Sequence, residues 1–411
     1  MMSDALTAAQ IRPGSQRTLV GFVMDQATEA LLRETLISET VTATFLRGGL
    51  RDAVRRMGEI ESPDTLIIDI TDCESDGSVL AALEELANIV EPEIEVIAIS
   101  GNRDVALYRQ LTRSMGIAEV LHKPLSRLDI TELASPILTR GTEVSSGVRG
   151  GRVISVIGAK GGVGATMIAT GLARYLGRTA RRHTVLIDAD FRHSACYVMM
   201  SVPPETPTGL RQLLERPERI DRLFVERATA IVEDRIHLLA ADEKPMTPDP
   251  IPAGAADVLI EILRMRYNYV LIDLPVGTRA MTLDFARASN HKIIVMDPSL
   301  VSLKEVHRIL HVDPGPVESQ KPTIVLNRSN LRGGLSPKKI HDPGEINVDI
   351  EIPDLGSAMI SAANMEGDAM SIKPFRAAIE KLAHDVGAVD TDRAEQTVRR
   401  GGLMSRLLGG R

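Results

Sequence analysis

The chain contains no tryptophan, and aromatic residues make up only 3% of its 411 positions. An extended platform that stacks successive nucleobases on aromatic rings is therefore excluded. Cysteine is almost as scarce. Cys73 and Cys196 are the only two, and they show neither CxxC nor any other linear metal spacing. A disulfide-rich secreted fold is excluded, and the pair reads as two reduced cytosolic thiols. No apolar run reaches the ~18 residues of a membrane-spanning helix. The start, MMSDALTAAQIRPGSQR, lacks the basic-then-apolar form of a secretory signal. Nor is there an excess of positive charge: 48 Lys and Arg stand against 55 Asp and Glu, a net charge of −7. That balance speaks against general nucleic-acid binding, so DNA is not an expected partner. What is present is ordinary for a globular protein, with 44% hydrophobic and 25% charged residues. The length suffices for two or three domains. The expected location is cytoplasmic.

The densest signal runs from Arg152 to Thr170, RVISVIGAKGGVGATMIAT. An apolar β-type run, Val153 to Ile157, leads into a glycine-rich loop from Gly158 to Gly164. Thr166 follows, then an Ala/Leu-rich helical pattern to about Leu176. Strand, glycine loop and helix start make a phosphate cradle, in which loop N–H groups converge on the anion and the helix dipole adds positive potential. A Cβ in the loop would block the backbone's approach to phosphate oxygens. Lys160, Gly161, Gly162, Val163, Gly164, Ala165 and Thr166 are thus the candidate nucleotide-binding residues. The usual loop reads GxxxxGK(S/T). Here Ala165 stands where the lysine is expected, and Lys160 sits earlier in the loop. The missing charge-assisted contact to the β/γ-phosphates is worth ~1.5–3 kcal/mol.

The fragment KGGVGxT resembles the deviant Walker A loop of the MinD/ParA family of dimerising ATPases. The resemblance implies that Lys160 reaches across a dimer to the partner's nucleotide. Both lysines are normally present in that family, so Ala165 points to weakened binding and to weak or absent hydrolysis. Further pieces follow in order. HTVLIDADFRHSA is a strand ending at Asp188 and Asp190. It matches the family's DxD switch segment, which makes Asp190 the group that positions or activates water and Asp188 a support of the Mg²⁺ shell. YNYVLIDLPVG is an apolar strand ending at Asp273. This is a Walker B pattern, whose acid holds Mg²⁺ opposite the Thr166 hydroxyl. Pro275 and Gly277 resemble the second switch. TIVLNRSN ends a strand at Asn327, where an amide can pair with both N6–H and N7 of adenine. Ile352-Pro353-Asp354 and Asn364-Met365-Glu366-Gly367 match the family's late IPxD and NxG elements, with Pro353 near the base. Residues 201–256 are proline-rich and read as surface loops around one or two helices, without chemistry. The expected cofactors are ATP and Mg²⁺.

Ahead of this domain, residues 18–138 alternate strand-like and helix-like patterns. The strand-like runs are Leu19–Met24, Thr65–Ile70, Val96–Ile99 and Val120–Leu121, and the helical ones Ala27–Ile37, Val79–Val90, Val105–Met115 and Leu128–Leu138. Such alternation implies a parallel sheet with helices on both faces. Asp25, Asp69, Ser100 and Lys123 fall at strand ends, where doubly wound sheets place ligands. The set resembles the receiver domain of two-component signalling. By position Asp69 is the phospho-acceptor, Asp25 a Mg²⁺ ligand, and Ser100 and Lys123 phosphate contacts. Two departures stand out: Met24 replaces a second acidic residue and Val120 the switch aromatic. They favour a receiver-like domain kept for protein contacts.

The expected architecture is therefore α/β throughout. A flexible lead (1–17) precedes a receiver-like, flavodoxin-like doubly wound domain (18–138). A linker (139–151), a P-loop MinD/ParA-like ATPase domain (152–386) and a tail (387–411) follow. In the tail, Leu403, Met404, Leu407 and Leu408 share one helical face, with Arg399, Arg400, Arg406 and Arg411 around it. This resembles the membrane-targeting helix of MinD and implies peripheral membrane contact strengthened by dimerisation; docking of the tail on protein is the alternative. The domain order, the segment MDPSLVSLKE and the altered P-loop resemble the TadZ/CpaE family of tight-adherence (Flp) pilus-assembly proteins, which mark an assembly site, often a cell pole. That resemblance implies an ATP-bridged homodimer that recruits pilus secretion machinery. Two other classes remain open. One is a cycling ParA/MinD-type ATPase that positions DNA or protein. The other is a phosphorylation-gated response regulator with an ATPase-like output.

Overall fold

The computed structural model describes residues 17–38, 40–139, 150–191, 194–203, 206, 208–241, 251–277, 280–311, 321–336, 339–340, 346–364 and 368–386. The tail residues Leu403, Met404, Arg406, Leu407 and Leu408 lie outside this set, as do Met365, Glu366 and Gly367. The chain divides into two compact units, Met1–Gly150 and Gly151–Arg411.

In the first unit five strands, β1 (Arg17–Val23), β2 (Val41–Arg47), β3 (Thr65–Asp69), β4 (Glu95–Ser100) and β5 (Glu119–His122), pair in the order β2-β1-β3-β4-β5. Every pairing is parallel. This is one of the two common doubly wound orders. Successive side chains of a strand point to opposite faces. Leu66 and Ile68 accordingly pack with Leu50, Ala53 and Leu83, while Ile67 packs on the other side with Leu32, Leu36 and Ile130. Each such burial contributes about 1.5–3 kcal/mol. The sequence reading passes over β2 and the helix Leu50–Arg56. β2 is an edge strand in which only Val41 and Phe45 are buried, and its threonines break any apolar run.

The second unit holds eight strands, β6 (Arg152–Gly158), β7 (Thr184–Asp188), β8 (Ala230–Glu233), β9 (Ile236–Leu239), β10 (Tyr269–Leu274), β11 (His291–Met296), β12 (Thr323–Asn327) and β13 (Ile350–Ile352). Their order is β13-β12-β11-β6-β10-β7-β9-β8, and β8 alone runs antiparallel to its neighbour. The expectation of loops and helices over 201–256 is thus corrected: β8 and β9 form a hairpin that extends the sheet. Four-residue strands leave too short a run for their alternation to stand out from the prolines around them. The helix Ala165–Arg174 packs on the closing helix Lys373–Asp385. Gly171 makes that approach possible, because a Cβ there would lie 2.8 Å from the Phe375 ring.

His183 and His237 are held against polar partners in this unit. His183 Nε2 meets an Arg235 guanidinium nitrogen at 2.7 Å and so accepts, while His237 Nδ1 pairs with the Tyr267 hydroxyl at 2.7 Å. Burial, reinforced by Arg235, pushes His183 down to about 3. Burial, reinforced by Arg266, pushes His237 down to about 4. Both stay neutral when folded but take up protons near pH 6.5 when unfolded, so stability is lost as pH falls below that value. At pH 5 the loss is about 2 kcal/mol for each. We expect the melting temperature of this unit to drop between pH 7.5 and pH 5, and to drop less in a His183→Gln/His237→Gln variant. Equal drops in the two proteins, read by thermal denaturation, contradict the assignment.

Candidate functional site

β6 ends on Gly158 beside β11 and β10, in the middle of the sheet. The chain then turns through the glycine loop into the helix Ala165–Arg174. Gly162 has φ +79° and Gly164 φ +94°, conformations that disfavour any side chain. Val163 is buried at 1% exposure and pins the loop to the core. A cleft of ≈ 620 Å³ opens over the loop. Lys160 through Thr166, Asp188, Asp190, Asp273, Asn327 and Pro353 all line it, so the fold gathers these candidates for nucleotide and Mg²⁺ around one space.

The details modify several expectations. Ala165 presents only a methyl group at the helix start and packs against the core. The cations lining the cleft are Lys160 and Arg328. Lys160 Nζ is held 2.6 Å from Asp297 Oδ2 in its own chain. Asp297 also accepts from Ser299 Oγ at 2.6 Å and Ser302 Oγ at 2.5 Å. Burial works to raise the Asp297 pKa, but these hydrogen bonds, Lys160 first, leave it lowered. Asn327 Nδ2 donates to Val163 O at 2.8 Å, so part of the expected base-reading amide supports the phosphate loop. A Cβ on Gly164 would lie 2.6 Å from that same nitrogen.

The acids form the electrostatic centre. Asp188 and Asp273 are direct neighbours on adjacent parallel strands, and both are at most 5% exposed. Asp188 accepts from Ser194 Oγ at 2.7 Å and from the backbone N–H groups of Cys196 and Asp190, each at 3.1 Å. Burial raises its pKa against these bonds. Asp273 is pushed up to about 7 by burial and by Asp188, with the Thr166 hydroxyl acting the other way. Cys196 Sγ lies 3.9 Å from Asp273 Oδ2. The sequence reading found no metal pattern at this cysteine; the fold, not linear spacing, brings it to the two acids. The short step from the DxD to Ser194 and Cys196 was the one available signal. Asp188, Asp273 and Thr166 together offer oxygen ligands suited to Mg²⁺.

In the first unit Asp69 ends β3 and is fully buried. Its Oδ1 accepts from Thr71 N at 3.2 Å and Thr71 Oγ1 at 2.6 Å. Its Oδ2 accepts from Met24 N at 3.2 Å and Lys123 Nζ at 2.5 Å. Lys123 also reaches Asp25 Oδ2 at 2.8 Å, and Asp25 caps the helix Gln26–Leu36 through Thr28 N. The Lys123 hydrogen bond is the main reason Asp25 falls to about 2. Ser100 is drawn to a residue the sequence reading did not single out. Its hydroxyl donates to Glu74, whose second oxygen accepts from Gly101 N at 3.1 Å.

A glycine loop between a central parallel strand and a helix, with acids at the ends of the next strands, defines a nucleotide-binding P-loop fold. A family model described as AAA domain matches residues 151–314. The septum site-determining protein MinD of Synechocystis sp. is 27% identical over 180 residues, 43% of this chain and 64% of that protein. The chain thus spans less than two thirds of this relative's length. A ParA family ATPase from Chlorobium tepidum superposes with a TM-score of 0.50 at 18% identity, over 56% of this chain and 96% of that one. A pilus assembly protein CpaE from Caulobacter crescentus matches 30% of this chain and 94% of that one at 24% identity, with a TM-score of 0.28 too low to carry an argument. Residues 151–314 thus match the AAA-domain model, and the second unit has the fold of the ParA family ATPase. Among the described residues, no helix is long and apolar enough to cross a membrane.

The paired acids generate a prediction with a sign. Above pH 7 the metal-free protein must hold Asp273 ionised beside Asp188, at a cost that protonation removes at lower pH. Asp273→Asn is expected to raise the melting temperature of the metal-free chain by about 2–4 °C or more at pH 8, and by less at pH 5. A lower melting temperature at pH 8 contradicts the electrostatic reading.

Proposed function

We propose that the chain is a nucleotide-dependent localisation or assembly factor, in which ATP and Mg²⁺ bound at the second unit join two copies. Thr166, Asp188 and Asp273 hold the Mg²⁺, which supplies charge neutralisation at the phosphates. Gly161 to Thr166 cradle the phosphates, while Asn327 and Pro353 flank the base. Lys160 leaves Asp297 to reach the nucleotide of the other copy, and Asp190 orients water. The observation that carries this reading is the pairing of a complete glycine loop with a methyl group at Ala165. Binding without fast turnover is what such a site is built for, since the charge that develops on a transferring phosphoryl group lacks its usual partner.

The domain order and the MDPSLVSLKE segment support a finer assignment, an assembly factor of a tight-adherence pilus machine. In this reading the dimer sits at the cytoplasmic side of the membrane or at a pole, recruits pilus secretion proteins, and uses residues 399–411 for peripheral membrane contact. The first unit serves as a receiver-like contact module and takes no phosphoryl group. Asp69 is already bonded on both oxygens, and Glu74 covers the donors that would face an incoming phosphoryl group.

Sedimentation with ATP and Mg²⁺, together with phosphate release, tests the central claim. Wild type should form ATP-dependent dimers with little phosphate release, and Lys160→Ala should remain monomeric. Ala165→Lys should raise phosphate release about tenfold or more, the kinetic equivalent of the ~1.5–3 kcal/mol contact it restores. Rapid hydrolysis by wild type would replace this reading with a cycling ATPase. For the first unit, incubation with acetyl phosphate and Mg²⁺ should give no mass increase. An Asp69-dependent gain of one phosphoryl group would make it a phosphorylated receiver instead.

A further inference from the structure

The cation seat of the second unit contains a sulfur. Cys196 begins the short helix Cys196–Met199 and is fully buried. Its Sγ and one carboxylate oxygen each of Asp188 and Asp273 lie within 4.8 Å of one another. The Sγ to Asp273 Oδ2 separation is 3.9 Å. A cation bound at ~2.3 Å to sulfur and ~2.0–2.2 Å to oxygen sets its donors about 3.5–4 Å apart. The arrangement is therefore close to a coordination shell before any ion enters. Asp188 is already oriented by Ser194 Oγ at 2.7 Å and by the Cys196 N–H at 3.1 Å, the outer support that ligating carboxylates carry. A carboxylate has about four acceptor sites; with the Asp190 N–H on Oδ1 at 3.1 Å, one site on that oxygen is left to ligate.

We propose that Asp188, Cys196 and Asp273 form a three-ligand site for a thiophilic divalent cation such as Zn²⁺. Its fourth position is left to water or to an oxygen from the cleft that the two acids line. On binding, the Cys196 S–H bond breaks, a sulfur–metal bond forms and the proton leaves to solvent; no oxidation state changes. Mg²⁺ takes oxygen ligands and gains nothing from the sulfur, whereas Zn²⁺, Co²⁺ and Cd²⁺ favour it. The carboxylates are those that the nucleotide reading assigns to Mg²⁺, so a thiophilic cation competes with Mg²⁺ for one seat. The site needs no nucleotide to form.

The test titrates Co²⁺ into the untagged full-length chain, reduced with a phosphine and free of nucleotide. One Co²⁺ per chain should bind, with a sulfur-to-cobalt charge-transfer band in the near ultraviolet, and Zn²⁺ should displace it. Cys196→Ser should lose the band and weaken Co²⁺ binding at least about tenfold, while Cys73→Ser should change neither. Asp273→Asn, checked by circular dichroism for native folding, should weaken binding to a similar degree. Should Cys196→Ser fail to fold, Cys196→Ala takes its place. A folded wild-type chain without the band, or a band that survives loss of Cys196, overturns the site. ATP binding with Mg²⁺ is measured in parallel. Its failure with the cobalt band intact counts against the nucleotide reading alone.

Discussion

Two carboxylates on adjacent strands, both nearly sealed from water, cannot both carry charge without a counter-charge. That constraint governs the second unit. β7 and β10 are paired in register, so Asp188, the last residue of β7, stands opposite Asp273, the next to last of β10. The hydrogen bonds around Asp188 offset only part of the desolvation, and the Thr166 hydroxyl and the Cys196 thiol do no more for Asp273. A cation resolves the conflict, and the neighbouring glycine loop supplies the place for the anion that such a cation accompanies. The acids and the loop are thus two halves of one electrostatic arrangement, held at the C-terminal ends of the central strands.

The loop itself is rigid for reasons independent of ligand. Val163 is inserted in the core, Asn327 bonds to its carbonyl, and Gly164 has no room for a side chain against that amide. A cradle fixed in this way needs no reordering to receive phosphates, which lowers the entropic cost of binding. The charge around it is less complete. Ala165 contributes none, and Lys160 spends its charge on Asp297, itself braced by two serines. Any role for Lys160 on a nucleotide must begin by exchanging that ion pair for phosphate. The two serine hydroxyls lower the cost of the exchange by keeping Asp297 hydrogen-bonded after the lysine leaves.

Much of this was legible in the sequence because it depends on local order. The run KGGVG, the DxD and the strand ending in Asp273 are contiguous patterns whose chemistry follows from residue type and strand position. Lone residues were less legible. Cys196 meets Asp273 only through the fold, from a short helix to the strand β10, and Glu74 meets Ser100 across a loop. Neither pairing leaves a periodic or compositional trace. Asn327 was read for the face it could offer a base, yet half of its amide is committed to the loop beneath it. Peripheral strands escaped for another reason: the edge strands β2 and β8 are half exposed and β9, beside β8, has only four residues, so none leaves a long burial pattern.

The two units apply the same rule to opposite ends. Both put polar groups at the C-terminal ends of parallel strands, the natural ligand position of a doubly wound sheet. In the first, Asp69 receives four hydrogen bonds, Lys123 divides itself between Asp69 and Asp25, and Glu74 occupies Ser100 and Gly101. The donors there, Lys123 among them, are already committed to three carboxylates, so an added anion must displace a carboxylate that is already bonded. In the second, two acids face each other with their charge uncompensated beside an open cleft. The buried pair of the second unit therefore has the stronger need of a counter-charge. The first unit has a cation of its own, since Lys123 bonds both Asp25 and Asp69 and holds the Asp25 carboxyl at about 2.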